Sequence, residues 1–187
     1  MTNSKTLYIN FFDAIDLVKV NKFIQFTTEA IKHYNPTELY YLISSSGGDV
    51  DAGFVLYNYL TSLHGQLNIS MHNIGTIDSI ANVIFLAGNK RYAAPNASFL
   101  FHGIMINLQG TFNMSALKEH LSRLEIRENR IAETMSKHTK LTQDELMVLF
   151  KHGEGKDGQY ALTKEVVHEI KEPSIPQGSV HLAMSFV

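Results

Sequence analysis

The segment around residues 39–60 places the strongest constraint on the fold. An apolar run at residues 39–43 ends in three serines and two glycines, and a helical pattern begins at Val50. This succession of strand, tight turn and helix is typical of α/β proteins. Glycines let such a turn approach a ligand closely, so the Gly48 N–H is a candidate donor to a developing oxyanion. A plain strand-to-helix connection that needs glycine for its backbone angles is the alternative.

The same alternation continues along the chain. The hydrophobic pattern predicts strands at residues 7–11, 39–43, 67–71 and 97–101, and helices at residues 20–31, 50–63 and 80–86. Asn35-Pro36 ends the first of these helices. Alternating units form parallel sheets with right-handed crossovers, and ligands gather where strands end and helices begin. Ser79 and the glycine pair both stand at such junctions.

Ser79 and His102 form the candidate catalytic pair. Ser79 opens an apolar run and His102 closes one, so each polar side chain stands where a core residue is expected. A serine hydroxyl needs a neighbouring base to attack a carbonyl group at neutral pH. The N–H of Ile80 is then the second candidate oxyanion donor. In the alternative interpretation Ser79 caps a helix and His102 is a satisfied core histidine.

Three blocks of the sequence resemble the proteolytic subunit of the Clp protease. The block Ile43-Ser-Ser-Ser-Gly-Gly-Asp-Val-Asp-Ala-Gly is similar to that family's Ile-Asn-Ser-Pro-Gly-Gly-Ser-Val-x-Ala-Gly motif. Residues 75–88 resemble its nucleophile segment, and residues 90–102 resemble its Lys-Arg-x-x-x-Pro-Asn stretch that ends in histidine. The resemblance covers residues 6–170.

This resemblance implies a fold, an activity and an assembly. The fold is an α/β head of the ClpP/crotonase type, built from repeated β-β-α units, with a protruding handle helix. The implied activity is that of a serine endopeptidase, with Ser79 as nucleophile, His102 as general base, and the Gly48 and Ile80 N–H groups as the oxyanion hole. The implied partners are peptide or unfolded protein substrates, further copies in a homo-oligomer of stacked rings, and a separate AAA+ ATPase unfoldase.

The sequence departs from the family pattern beside the candidate pair. Asp78 puts a carboxylate next to Ser79, where the family has a small residue, and Gly103-Ile104 replaces Gln-Pro after His102. We expect Asp78 to be a helix N-terminal charge or an outward-facing group rather than a catalytic one.

The acid that should orient His102 also departs from its usual position. When the family pattern is anchored on Leu162-Thr163, its Asp column falls on Gln159, and Asp157 reaches that column only after a two-residue slip. Asp157 is the favoured candidate, Gln159 is the alternative, and the third alternative is that this segment supplies no orienting group. Only a carboxylate would also stabilise the imidazolium that forms during attack.

Residues 113–137 have the pattern of one long helix. Its apolar stripe, interrupted by Glu128, consists of Met114, Leu117, Leu121, Leu124, Ile131 and Met135. About 24 residues span about 36 Å, so the helix either lies along its own domain or packs on another subunit. The position matches the family's handle, and a strand at residues 99–108 is expected to lead into it at a ring-to-ring contact. We therefore predict a single domain over residues 1–187, with a head at 6–112 and 138–187. A capping box at Thr142-x-x-Glu145 predicts a further helix through Phe150.

Composition argues against several other classes of protein. A formal charge of −2 with no basic tract does not indicate nucleic acid, and the lack of cysteine removes disulfides and thiol chemistry. The nine histidines show no metal-ligand spacing, so no cofactor is expected. No apolar run is typical of a membrane span or signal peptide, which predicts a cytoplasmic protein. Two other functions stay open: a catalytically silent ring subunit, and a crotonase-like acyl-thioester enzyme, which would bind coenzyme A and needs no Ser–His pair.

Overall fold

A mostly parallel sheet forms the centre of the molecule in a computed structural model that describes residues 5–184. The strands in this part of the chain are β1 (Thr6–Phe12), β2 (Glu38–Ser45), β3 (Asn68–Asp78), β4 (Lys90–Ala93), β5 (Ser98–Phe101), β6 (Glu154–Asp157), β7 (Glu169–Ile170) and β8 (Val180–Ala183). The helices are α1 (Leu17–Tyr34), α2 (Val50–Ser62), α3 (Ala81–Phe85), α4 (Met114–His138), α5 (Gln143–His152) and α6 (Gly158–Thr163). The predicted α/β class is confirmed.

The strand order places the ends of β2 and β3 side by side. The sheet runs β6-β5-β3-β2-β1-β8, and β4 joins β3 to β7. Every pair is parallel except β5 with β6. Because β2 and β3 are parallel neighbours, the turns that follow them meet at one edge of the sheet. The glycine turn and Ser79 therefore lie together.

Strand β3 extends well beyond its predicted end at residue 71, because it changes partner along its length. Its first half pairs with β4 and its last three residues pair with β5. The register against β2 shifts between Ile43 and Ser45, and the Ser44 hydroxyl group accepts the Thr76 N–H at 3.1 Å across this irregularity. Buried Asn73 donates through Nδ2 to Ser98 O at 2.8 Å. The last residues of β3 thus lie between β2 and β5, and Ser79 follows them directly.

Local capping signals account for the helix ends. The Asp16 carboxylate accepts the Lys19 N–H at the start of α1, and Asn35 ends that helix with a φ of 45°. The predicted capping box is present at the start of α5, where Thr142 and Glu145 bond each other's backbone N–H groups. Gly153 ends α5 with a φ of 65°.

The handle is the helix α4, which begins after its N-cap Asn113 as predicted. Its buried residues are Ile131, Ala132 and Met135, all near its C-terminal end, whereas Leu121 remains 57% exposed. The helix therefore does not lie along its own head over most of its length.

The predicted strand at residues 99–108 is too long. Strand β5 ends at Phe101, and residues 102–113 adopt no regular secondary structure. The physical reason is that the Gly103 N–H donates to Phe150 O on α5, at 2.9 Å, rather than to a strand. The predicted domain bounds also include residues 1–4 and 185–187, which lie outside the described part of the chain, as does the start of the segment used to argue against a signal peptide.

Helix lengths and polarity give one further observation. None of the helices within residues 5–184 combines the length and apolar character that a membrane crossing requires.

The side chain of Arg91 joins three parts of the head. Arg91 on β4 is 6% exposed and donates to the carbonyl oxygens of Val166, Gly88, His138 and Glu165 at 2.8–3.2 Å. Burial lowers the pKa of Arg91 to about 10. The guanidinium group thus fixes the last residue of α4 and the turn after α6 against β4.

We predict that Arg91→Ala lowers the free energy of unfolding by about 3–5 kcal/mol, because it leaves several buried carbonyl groups without a donor. Denaturant unfolding measures the difference. Arg123→Ala is the control, since within residues 5–184 Arg123 pairs only with Glu119 on the exposed handle, and its loss should cost at most about 0.5 kcal/mol. Equal effects of the two substitutions would contradict the role of Arg91.

Candidate active site

Ser79 stands in a strained turn between β3 and α3. Its φ is 56°, in the left-handed region that side chains other than glycine seldom adopt. The Ser79 N–H donates to Leu100 O at 3.0 Å, which ties the turn to β5. The N-cap of α3 is Ile80, so the alternative interpretation of Ser79 as a helix cap is wrong. Backbone strain of this kind is concentrated at functional sites.

The side-chain amide of Asn82 supports this turn, a role that was not predicted from the sequence. Its Nδ2 group donates to Ser79 O and to Leu100 O, each at 3.0 Å. Asn82 is 1% exposed and lies among the apolar residues of α3. A polar amide within an otherwise apolar helix was the only sequence signal for this role.

The glycine turn packs directly against the serine turn. A Cβ atom on Gly47, whose φ is 80°, would lie 2.7 Å from Asp78 O and from Ser79 Cβ. A Cβ atom on Gly48, whose φ is 147°, would lie 2.1 Å from Ile15 O. Both positions therefore require glycine for their backbone angles and for space.

The N–H groups predicted as oxyanion donors belong to Gly48 and Ile80. Gly48 forms a parallel bridge with Ile15, in which Ile15 N–H donates to Gly47 O and Asp49 N–H donates to Ile15 O. This pattern leaves the Gly48 N–H unused. Among residues 5–184, neither the Gly48 N–H nor the Ile80 N–H donates to a protein acceptor. Gly48 is exposed, so its N–H is open to a ligand, whereas Ile80 is fully buried.

A cleft of about 230 Å³ brings the candidate residues together. Its lining consists of Ser46, Gly48, Val50, Ser79, His102, Ile104 and Met105. The side chain of Ile80 is fully buried, because it packs against Gly53 on α2, where a Cβ atom would lie 2.3 Å from Ile80 Cγ1. Ile80 can therefore contribute to the cleft only through its backbone.

The ring of His102 is oriented by a backbone carbonyl group. Its Nδ1 lies 2.7 Å from Gly103 O. A carbonyl oxygen only accepts hydrogen bonds, so Nδ1 carries the proton and the neutral ring keeps its lone pair on Nε2. This is the tautomer that a general base needs to accept a proton from serine. His102 is half-buried and lines the cleft, so it is not enclosed in the hydrophobic core.

The favoured orienting acid, Asp157, does not contact His102, which corrects the assignment made from sequence. In the antiparallel ladder of β5 and β6, Asp157 pairs with Ser98, whereas Glu154 pairs with Phe101. Three residues along a strand separate positions by about 10 Å. The Asp157 carboxylate instead caps α6 by accepting the Tyr160 N–H at 2.8 Å.

Gln159 does not fill the role either. It is an exposed residue of α6, after the cap, and its main-chain oxygen accepts from Thr163. The residue of this segment that lies beside His102 is Gly153, where a Cβ atom would be 3.9 Å from His102 Cβ. Of the three alternatives, the geometry supports a segment that supplies no orienting side chain.

Asp78 faces away from the cleft, as expected. It accepts a short hydrogen bond from the Thr76 hydroxyl group and lines a separate depression of about 490 Å³ together with Lys156 and Asp157. Alternate residues of a strand point to opposite faces, which separates Asp78 from the serine side. In the described part of the chain, no group of three or more His, Asp or Glu side chains could hold a metal ion.

Comparisons with known proteins identify the family of this chain. The family model described as Clp protease matches residues 7–172. ATP-dependent Clp protease proteolytic subunit 1 of Streptomyces coelicolor and subunit 3 of Streptomyces avermitilis are each 31% identical over 112 residues, or 58% of this chain and 49% of the relative. Proteolytic subunit 2 of Treponema denticola is 27% identical over 103 residues, or 54% of this chain and 50% of that protein.

The matched region thus spans about half the length of these curated relatives. The family model nevertheless covers nearly all of the sheet and helices that form the cleft. The chain therefore belongs to the Clp protease family.

Proposed function

We propose that this protein is a serine endopeptidase of the Clp type. The observation that carries the proposal is the cleft that strained Ser79, His102 and Gly48 line together, with Nδ1 of His102 bonded to Gly103 O and the Gly48 N–H unused. Ser79 Oγ attacks the peptide carbonyl carbon while its proton passes to His102 Nε2. The oxyanion accepts hydrogen bonds from the Gly48 and Ile80 N–H groups.

The acyl-enzyme then forms and breaks by the usual two steps. His102 gives its proton to the leaving amine, and the acyl group stays on Ser79. A water molecule, deprotonated by His102, attacks the ester carbonyl carbon; the bond from that carbon to Ser79 Oγ breaks, His102 returns the proton to Oγ, and the acid is released. Because the partner of Nδ1 is a neutral carbonyl group, it fixes the tautomer but stabilises the imidazolium less than a directly bonded carboxylate would.

A silent ring subunit is the second candidate function. One observation favours it: among residues 5–184, no carboxylate bonds directly to His102. The crotonase-like alternative gains no such support, because the family model that matches the chain is that of the Clp protease. Reactivity of Ser79 toward an activated phosphonate separates the active from the silent subunit.

The proposed substrates are peptides or unfolded proteins, and the proposed partners are further copies of this chain and a separate AAA+ ATPase unfoldase. The relatives' names describe proteolytic subunits of ATP-dependent proteases, which supports a separate motor. The handle supports self-assembly, because Met114, Leu117 and Leu121 are 43–68% exposed along one side of it. Exposed apolar stripes of this length mark interaction surfaces.

We expect Ser79→Ala to abolish both peptide hydrolysis and labelling by a fluorophosphonate probe, since only a base-activated serine reacts with it. The loss in turnover should reach several orders of magnitude. Circular dichroism serves as the control for an intact fold. Undiminished hydrolysis by the purified variant would exclude Ser79 as the nucleophile.

Asp157→Asn and Gln159→Ala should each leave the labelling rate of Ser79 within about threefold of wild type, because neither side chain contacts His102. Asparagine also keeps the oxygen that caps α6. A loss approaching about 10⁴-fold for Asp157→Asn would instead identify it as the acid that sets the tautomer.

Leu121→Glu and Leu124→Glu should split the assembly or lower its activity, because each places a charge on the apolar stripe of the handle. Ser122→Glu adds the same charge on a neighbouring, polar side of the helix and is the matched control. Light scattering reports the particle mass. A strictly monomeric wild-type protein at micromolar concentration would contradict a sealed chamber, even if Ser79 were reactive.

A further inference from the structure

The peptide group between Gly103 and Ile104 connects His102 to a carboxylate on the handle. Its C=O accepts the Nδ1–H of His102 at 2.7 Å, and its N–H donates to Glu128 Oε1 at 3.0 Å. Both bonds are made by a single amide, so they form a continuous chain from Glu128 to the imidazole ring. A carboxylate acceptor makes a stronger hydrogen bond than a neutral one and polarises the amide beyond it.

This peptide is held from both sides. The Gly103 N–H donates to Phe150 O at the end of α5, at 2.9 Å. A Cβ atom on Gly103 would lie 3.0 Å from Glu128 Oε1, so the carboxylate rests directly against the glycine backbone. The orientation of the Gly103 carbonyl group therefore depends on α5 and on Glu128 together.

The turn of α4 that carries Glu128 is itself fixed to the head. Arg127 and Arg130, on either side of it, both bond to Asp51 on α2, at 2.6 and 3.0 Å. The Arg130 guanidinium group also stacks on the Phe54 ring at 4.1 Å. These contacts let Glu128 act as a rigid support, although it interrupts the apolar stripe of its own helix.

We propose that Glu128 is the positioning residue for His102 and acts through the Gly103–Ile104 peptide in place of a directly bonded acid. This inference rests on the proposed serine peptidase function and deepens it. Glu128 does not touch the reacting atoms. Its negative charge strengthens the carbonyl group that holds Nδ1–H, which keeps the proton on Nδ1 and the lone pair on Nε2.

The experiment compares Glu128→Ala and Glu128→Gln with wild type, and uses Glu125→Ala as the control. Glu125 is an exposed carboxylate one turn earlier on the same helix. Two quantities are measured: the second-order rate of Ser79 labelling by a fluorophosphonate, and hydrogen exchange at the Ile104 amide, which does not depend on activity. Light scattering and thermal unfolding compare assembly and stability.

Glu128→Ala should expose the Ile104 amide to exchange and slow labelling by about 10–100-fold, as expected when a reacting group loses its support. Glu128→Gln keeps an oxygen acceptor but loses the charge. Its Ile104 amide should stay protected and its melting midpoint unchanged, while labelling slows by about 3–10-fold. A purely structural role would not produce this separation. Glu125→Ala should match wild type in both measurements.

The outcomes separate the two proposals. If wild type labels and Glu128→Ala labels equally fast, the role of Glu128 is overturned while the serine activity stands. If Ser79 in wild type is not labelled at all, the proposed function fails. Fast hydrogen exchange at the Ile104 amide in wild type would also overturn the contact with Glu128. Should Glu128→Ala fail to fold, Glu128→Gln decides the matter. If Ser79 in Glu128→Gln is labelled at the wild-type rate, the proposal is overturned.

Discussion

The close contact between two backbone turns is the constraint on which the site depends. Gly47 lies against Ser79 with no room for a side chain between them, and Gly48 lies equally close to Ile15. This contact brings Gly48 and Ser79 into one cleft. It is possible only because β2 and β3 are parallel neighbours that end at the same edge. A side chain at Gly47 would collide with the turn that carries Ser79, and one at Gly48 would collide with the Ile15 backbone.

The change of partner along β3 gives this contact its position. Strand β4 ends opposite Asn73, and after the register shift opposite Ser44 the last residues of β3 pair with β5. His102 follows β5 directly, so it lines the same cleft as Ser79. Asn73 and Asn82, both buried, bond to the main chain of β5 from the two ends of this segment. These side-chain amides thus supply hydrogen bonds to β5 that main-chain N–H groups supply elsewhere in the sheet.

The handle has an exposed apolar stripe and a C-terminal part that is fixed to the head. Its C-terminal part packs on the head through Ile131 and Met135, and two arginines attach it to Asp51. Glu128 lies within this attached part and reaches the peptide beside His102. The same helix therefore offers a surface for other subunits and contacts the backbone of the site. Its packing explains why a charged residue stands within an otherwise apolar stripe.

The sequence by itself determined the α/β class, the glycine turn, the Ser–His pair and the length of the handle. Each depends on local signals, namely hydrophobic periodicity, glycine punctuation and capping residues such as Asn113 and Thr142. The tertiary structure alone decided the environment of His102. An alignment along residues 157–162 places an acid by counting positions. The antiparallel pairing of β5 with β6 instead puts Asp157 about 10 Å further along the ladder than Glu154 and leaves Gly153 beside the Cβ atom of His102. Glu128 comes from a helix 26 positions beyond His102 in the chain, and no local pattern records a bond that forms only when the handle packs on the head.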